Sequence, residues 1–486
     1  KVREQFGRVI ATYQAVKHHC ANMVVATELA TSAVWDAARA AANGGEQFSY
    51  AAAIAATLAG PAADMCANLN MQVHGGIGFT WEHDCHVLMR RATTLRALLD
   101  FNTASVDVVD LNRKGVRRST TDITLPEEAE QYRSEIKAVA EEIKGLDAAG
   151  QRTRLIETGY VMPHWPKPWG REAGPIEQLV IEQELKAAKI QKPGYGITGW
   201  VILTLIQHGN EDQVNRWVPS ALSQDVIWCQ LFSEPDAGSD AAGVKTKATR
   251  VDGGWLVNGQ KVWTSGAHVA GMGFATVRTN PDVPKHDGIT TMVIDMKAEG
   301  VEVRPLKMTT GASEFNEVFF NDVFVPDDDV VGPIDGGWTV ARATLGNESV
   351  SIGGGQGGMA TPGEMLLAAF DKNPDKLAGG VSRIAKYIAQ QQAMGLLNLR
   401  SVYRAVEGAG PGPEGAMTKL ILSEIGHDAA AILSELPGED TAFMDGDASM
   451  GNMLVLFHRG MSIAGGTSEI KRSRSASASS ASPAIR

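Results

Sequence analysis

A chain of 486 residues with 44% hydrophobic and 21% charged side chains is long enough for three or four domains and apolar enough to give each a core, which excludes a small cross-linked module and wholesale disorder. Its 45 Lys and Arg against 56 Asp and Glu give a formal charge of −11, which argues against nucleic acid as a partner. Cys20, Cys66, Cys85 and Cys229 lie far apart without a C-x-x-C pair, so they outline neither a disulfide framework nor a zinc knuckle, and they fit a reducing, cytoplasmic setting. No apolar run reaches the roughly 20 residues of a membrane helix.

The sequence opens on Lys1, in a stretch read as an uncapped helix from Lys1 to Ala30, which places the expected N-terminus upstream. Residues 1–111 carry Ala, Leu, Val and Met at helical spacing, with breaks expected at Gly44–Gly45, Gly60–Pro61 and the turn Gly75–Gly78. A basic and then acidic stretch, 112–125, reads as a linker into a second helical block, 126–226, interrupted by the Pro- and Trp-rich loop Pro163–Gly170. From 227 to 335 the texture changes to short β-prone runs: Trp255–Val257, Gly273–Val277, Thr291–Ile294, Val301–Val303 and Glu317–Val325. That is a β domain, expected as a barrel or sandwich. Helical character returns over 336–472, and the Ser/Ala-rich tail 473–486 is expected to be flexible.

Two segments of the β region, Ser233–Asp240 (SEPDAGSD) and Asn258–Ser265 (NGQKVWTS), resemble the hallmark segments of the acyl-CoA dehydrogenase family. The resemblance implies an α+β, mainly helical fold, with helical bundles flanking a central β domain and an extra C-terminal-type bundle in front. It also implies that Gln230, Phe232 and Ser233 meet the polar edge of a flavin, that Trp263 and Ser265 cover it near its reactive nitrogen, and that Ser239 contacts bound coenzyme A. As bare sequence, Ser239 is a turn residue and Trp263 a buried aromatic.

Thr344–Gly355 (TLGNESVSIGGG) is similar to the helix that carries the catalytic base in the isovaleryl- and long-chain-type branches, and its carboxylate is Glu348. The chemistry needs one carboxylate to take the α-proton of a thioester, and partial desolvation can tune a Glu for that task. Ser349 stands where relatives commonly carry Arg. Ser462–Arg472 (SIAGGTSEIKR) resembles the closing segment of the family. Many members place the base there; this chain has Gly465, which leaves Glu348 as the candidate. Thr467 and Glu469 correspond to positions that touch the adenosine part of FAD, and as plain sequence they read as a helix N-cap and a first-turn acid.

Arg3–Gly7 (REQFG) and Gln72–Phe79 (QVHGGIGF) resemble the segments through which one subunit of the family holds its neighbour's FAD. Arg3 would pair with the pyrophosphate, for which a guanidinium is suited. Phe6 would pack on the cofactor, and Gln72, Gly75 and Gly76 would let polar groups approach it. Neither segment recurs in the last block, so one FAD site per chain is expected, in an arrangement similar to fused two-unit members from actinobacteria. Gly353–Gly358 satisfies G-x-G-x-x-G but follows a helix instead of a strand, so it is no dinucleotide fingerprint. His74, His83 and His86 cluster without an evident carboxylate or thiolate set, and no metal site is expected.

The expected function is FAD-dependent dehydrogenation of an acyl-CoA to its trans-2-enoyl-CoA, on a bulky or branched acyl group such as a steroid side chain. An electron-transfer flavoprotein or similar acceptor would take the electrons, and two-unit chains would pair as a homodimer. The alternatives are a flavin oxidase or monooxygenase on the same fold, and a non-catalytic partner that binds CoA esters or FAD.

Overall fold

Helices of close to thirty residues stand beside strands of two to twelve in the computed structural model, which describes residues 3–118, 125–351, 361–406 and 414–479. The chain divides into two compact units. Lys1–Ile123 with Gly358–Arg486 form a helical unit, and Thr124–Gly357 a unit with the sheet. No described helix is long and apolar enough to cross a membrane.

The helical unit starts with a hairpin, β1 (Glu4–Gln5) and β2 (Arg8–Val9), followed by α1 (Gln14–Ala41), α2 (Gly45–His74), α3 (Cys85–Leu98) and α4 (Phe101–Arg113). Ala21, Val25, Leu29 and Ala33 recur every fourth residue of α1 and are buried, which makes a stripe that a 3.6-residue period keeps on one face. Later segments add α11 (Gly363–Lys372), α12 (Gly380–Val406), α13 (Glu414–Glu435), α14 (Ser449–Met461) and α15 (Ser468–Ser479). One core joins the early and late helices through Leu29, Ile54, Val108, Ile384, Ile388 and Ile421.

Three sequence expectations fail in this unit. The opening residues are a hairpin, with Glu4 opposite Val9 and Gln5 opposite Arg8, turned by Phe6 and Gly7 at φ +55° and +73°; two-residue strands carry too little periodicity to be read. Gly60–Pro61 does not break α2. A Cβ on Gly60 would lie 2.1 Å from the Phe101 ring, so the glycine admits a neighbouring helix, and packing on both sides of Pro61 carries the helix past it. Residues 473–479 continue α15, with Ser475 fully buried. The stretch read as a linker also has anchored residues: Arg118 pairs with the buried Asp36 at 2.5 and 2.9 Å, and Arg117 with Glu364 at 2.7 Å.

The sheet unit begins with α5 (Glu130–Lys144), α6 (Ala148–Glu157), α7 (Pro175–Ala187), α8 (Ile197–His208) and α9 (Glu211–Leu222). Next come β3 (Trp228–Leu231), β4 (Lys247–Val251), β5 (Gly254–Ser265), β6 (Met272–Arg278), β7 (Ile289–Asp295), β8 (Val301–Leu306), β9 (Phe315–Pro326) and β10 (Val330–Val331), and the unit closes on α10 (Gly337–Ser351). Among the described residues the eight strands form one mixed sheet, ordered β10-β7-β6-β4-β5-β9-β8 with β3 parallel to β6. The fold is thus α+β and mainly helical. Phe274 and Val293 face the core shared with the helices, while Ala275, Met292 and Ile294 face a second core. A period of two with both faces covered explains why Gly273–Val277 of β6 and Ile289–Ile294 of β7 are buried without a break.

Candidate active site

Gly337, the first residue of α10, seats the helix that bears the candidate base. A Cβ there would stand 2.6 Å from Thr291 N and 2.7 Å from Thr290 Cα, so only glycine lets the helix start against the backbone of β7. Farther along α10, Asn347 Nδ2 donates to Thr204 Oγ1 at 3.1 Å and to Gln207 Oε1 at 3.0 Å, which ties α10 to α8. Glu348 follows, partly buried, and its Oε2 accepts from Gln230 Nε2 at 3.3 Å. Gln230 Oε1 in turn accepts from Trp200 Nε1 at 2.6 Å.

Beyond β3 the chain enters the loop of the first motif. Lys261 Nζ, fully buried, donates to Glu234 Oε1 at 2.7 Å, Phe232 O at 3.2 Å and Thr276 O at 2.7 Å. Glu234 also accepts from Lys245 N at 2.6 Å and Thr246 N at 3.0 Å. Burial pulls the ammonium down to about 8 against the opposing charge of Glu234. Burial also works to raise the Glu234 carboxyl, but Lys261 and the hydrogen bonds more than reverse it and hold it below its ordinary value. This network pins the loop on which Ser233 sits partly exposed, its carbonyl accepting from Val262 N at 2.9 Å.

A bulge in β5 between Lys261 and Thr264 turns Trp263 out of the sheet, with φ at +60° and 57% of its surface exposed. An aromatic residue held in the left-handed region is strained, and such strain gathers where a side chain must be aimed. The Trp263 ring meets the Phe315 ring edge-on, with centroids 6.0 Å apart. Ser265 is partly exposed and Ser239 exposed on its loop. Phe232 is buried at 6.2 Å from the Phe274 ring, so any ligand contact it makes runs through its backbone.

The remaining candidates lie in the helical unit. Phe6 is 94% exposed at the hairpin tip, and Arg3 is exposed with its carbonyl taken by Ile10 N at 2.9 Å. Gln72 is exposed on the last turn of α2, which ends where Gly75 adopts φ +65° and ψ −144°, a conformation closed to residues with a side chain. A Cβ on Gly75 or Gly76 would meet nothing within 4 Å. Thr467 Oγ1 accepts from Ile470 N at 3.3 Å, the N-cap arrangement expected of it, and Glu469 is exposed in the first turn. α15 lies on the first half of α1, through His18 to Ser473 at 3.4 Å and Asn22 to Arg472 at 3.1 Å. Within each unit the structure therefore joins Glu348 to Gln230, and Ser233 to the strand bearing Trp263. Gly353–Gly358 fall outside the described residues.

Sequence reading missed Trp200 and Lys261. A lysine at an inward position of an alternating strand, with SEP upstream, was the available signal for a buried pair. Trp200 had none, since its partner is thirty residues away.

Comparison with known proteins gives the family. The profile of the acyl-CoA dehydrogenase middle domain matches residues 229–323, and that of the acyl-CoA dehydrogenase C-terminal domain matches 1–98 and 335–479. Acyl-CoA dehydrogenase FadE34 of Mycobacterium tuberculosis is 44% identical over 475 residues, 97% of this chain and 65% of that protein, so the chain spans about two thirds of that relative. Acyl-CoA dehydrogenase IpdE1 of the same organism is 32% identical over 66% of this chain and 84% of its own length. Among solved structures, the Tcur3481-Tcur3483 steroid ACAD superposes with a TM-score of 0.57 at 26% identity, covering 74% of this chain and 99% of that one. With the middle-domain profile covering Gln230 and Trp263 and the C-terminal profile covering Glu348, the chain belongs to the acyl-CoA dehydrogenase family.

Proposed function

We propose that the chain contributes an FAD-dependent site that converts an acyl-CoA thioester to its trans-2-enoyl-CoA. The observation that carries this reading is the placement of Glu348, a carboxylate fixed by the Gln230 amide on a helix clamped to α8. Taken by itself, each unit has residues that suit FAD: an outward-turned indole at Trp263 in the sheet unit, and in the helical unit a glycine turn open to approach at Gly75 and Gly76 and an exposed guanidinium at Arg3. When bound, FAD supplies an acceptor for the pair of electrons that leaves the β-carbon as hydride. Glu348 would take the α-proton, so that the double bond forms between the two carbons. Ser233 and Ser265 would hydrogen-bond the ring edge while Trp263 shields it from water. Gln230 would orient Glu348 as well as border the ring, with the backbone of Phe232 beside it. Arg3, Phe6, Gln72, Gly75, Gly76, Thr467 and Glu469 would hold the pyrophosphate and adenosine, and Ser239 the CoA.

The acyl group we favour is bulky, of the steroid side-chain class. The name of the steroid ACAD neighbour supports this. An electron-transfer flavoprotein or a similar acceptor, pairing of two chains and a cytoplasmic location complete the reading. The test is anaerobic bleaching of bound flavin by CoA thioesters, from butyryl-CoA to a steroid side-chain CoA, in the wild type and Glu348→Gln. Bleaching by one class that is lost in the variant supports dehydrogenation, the base and the substrate size together. Absence of bleaching with FAD bound overturns the reading in favour of a binding partner, and peroxide formation without an added acceptor marks an oxidase.

A further inference from the structure

The turn between α2 and α3 brings together two imidazoles and a thiol. α2 ends at His74, the chain reverses at Gly75, and α3 starts at Cys85. One ring nitrogen from each of His74 and His83 and the Cys85 sulfur all lie within 4.8 Å of one another. Cys85 Sγ is 3.7 Å from His74 Nδ1, and the two imidazole rings are 4.5 Å apart. Cys85 is fully buried while both histidines are partly exposed, so the thiol closes the inner side of the cluster and the imidazoles border its way in.

Asn70, one turn before His74, supports two of the three groups. Its carbonyl lies 2.8 Å from His74 Nδ1, and its side-chain amide donates to Cys85 Sγ at 3.2 Å. A carbonyl that accepts from Nδ1 leaves Nε2 as the nitrogen His74 would offer to an ion, and such a carbonyl, together with an N–H that stabilises charge on sulfur, is the kind of partner that sets ligand orientation in metal centres. His83 accepts from Cys85 N at 3.2 Å, a bond that an incoming ion can displace. A tetrahedral ion about 2.0–2.1 Å from nitrogen and about 2.3 Å from sulfur spaces its ligand atoms roughly 3.3–3.6 Å apart, so the cluster closes by about an ångström. Two imidazoles and a thiolate are a soft set that selects late transition ions over magnesium or calcium.

We propose that His74, His83 and Cys85 bind one divalent ion of the zinc class, with water in the fourth position, and that the ion staples the end of α2 to the start of α3. The proposal departs from the sequence expectation of no metal site because the fold brings the Cys85 thiol to the two histidines. The test is titration of the metal-free full chain with Co(II). The expected result is a thiolate-to-cobalt charge-transfer band with tetrahedral visible bands, saturating at one ion per chain and abolished by Zn(II). Cys85→Ser is expected to remove the charge-transfer band and Cys66→Ser to leave it. Asn70→Ala, which reaches the ion only through its ligands, should weaken binding about 10–100-fold. A wild-type chain that shows no band at saturating Co(II), or a band that survives Cys85→Ser, overturns the proposal, and the wild-type result stands even where a variant fails to fold.

Discussion

Gln230 Nε2 donates to Glu348 Oε2 at 3.3 Å while Gln230 Oε1 accepts from Trp200 Nε1 at 2.6 Å. An indole nitrogen can only donate, so it holds the amide oxygen toward itself and leaves the amide N–H groups facing the carboxylate. Trp200 thus decides which way the amide points, and the amide is a partner that helps place the candidate base. Trp200→Phe keeps the ring and deletes the donor. A neutral hydrogen bond is worth about 1 kcal/mol, so kcat should fall about 5-fold, with KM and flavin content unchanged. Steady-state kinetics on the flavin-loaded enzyme measures this; a raised KM at constant kcat would show the amide serving substrate binding instead.

Gly337 fixes where α10 starts, and Glu348 lies eleven residues on, about 16 Å along the helix at 1.5 Å per residue. In Gly337→Ala the new Cβ meets backbone atoms of Thr290 and Thr291, in a strand buried on both faces that has little freedom to move. The cost should be about 1–3 kcal/mol by overpacking, read by denaturant unfolding. Gly346 on the same helix has open space at its Cβ position, so Gly346→Ala should instead stabilise by up to about 1 kcal/mol.

These two relationships mark the limit of what the residues disclose before folding. The strands were legible because Val, Phe and Thr alternate between Gly and Asp punctuation, and Glu348 and Trp263 stood out through motif resemblance. The opening hairpin was not legible, because four paired residues set no period. Gly60–Pro61 misled because breakers act locally, whereas the Phe101 ring that makes use of the glycine comes from another helix. Lys261, Trp200 and the thiol beside His74 depend on partners that only the tertiary fold supplies.

Cys229 shares β3 with Gln230, is fully buried, and has its thiol pushed up to about 12 by burial. Since the thiolate is the reactive form, alkylating reagents at neutral pH should leave Cys229 untouched in the native protein while reaching the partly exposed Cys66. Mass spectrometry of labelled peptides checks this. Labelling of Cys229 that keeps pace with Cys66 under native conditions would show β3 opening readily.

The Lys261–Glu234 pair is expected to give the motif loop its pH dependence. Glu234 is held below its ordinary value of 4.5 by Lys261 and its hydrogen bonds, so its contribution is fully present above about pH 4.5 and is lost as pH falls through the folded value. Lys261 sits at about 8 against 10.5 when exposed, so between those values the unfolded chain binds more protons and stability from this group rises with pH. Removing one partner leaves the other charge buried alone. Glu234→Gln should cost about 3–5 kcal/mol near neutral pH, and its loss should shrink toward alkaline pH as Lys261 gives up its proton. The double variant Glu234→Leu with Lys261→Met removes both charges and should recover most of the loss, since apolar replacement of a buried pair is often neutral. Denaturant midpoints across pH measure all three. A Glu234→Gln penalty that stays constant from neutral to alkaline pH would mean that Lys261 keeps its proton, held by the Phe232 and Thr276 carbonyls alone.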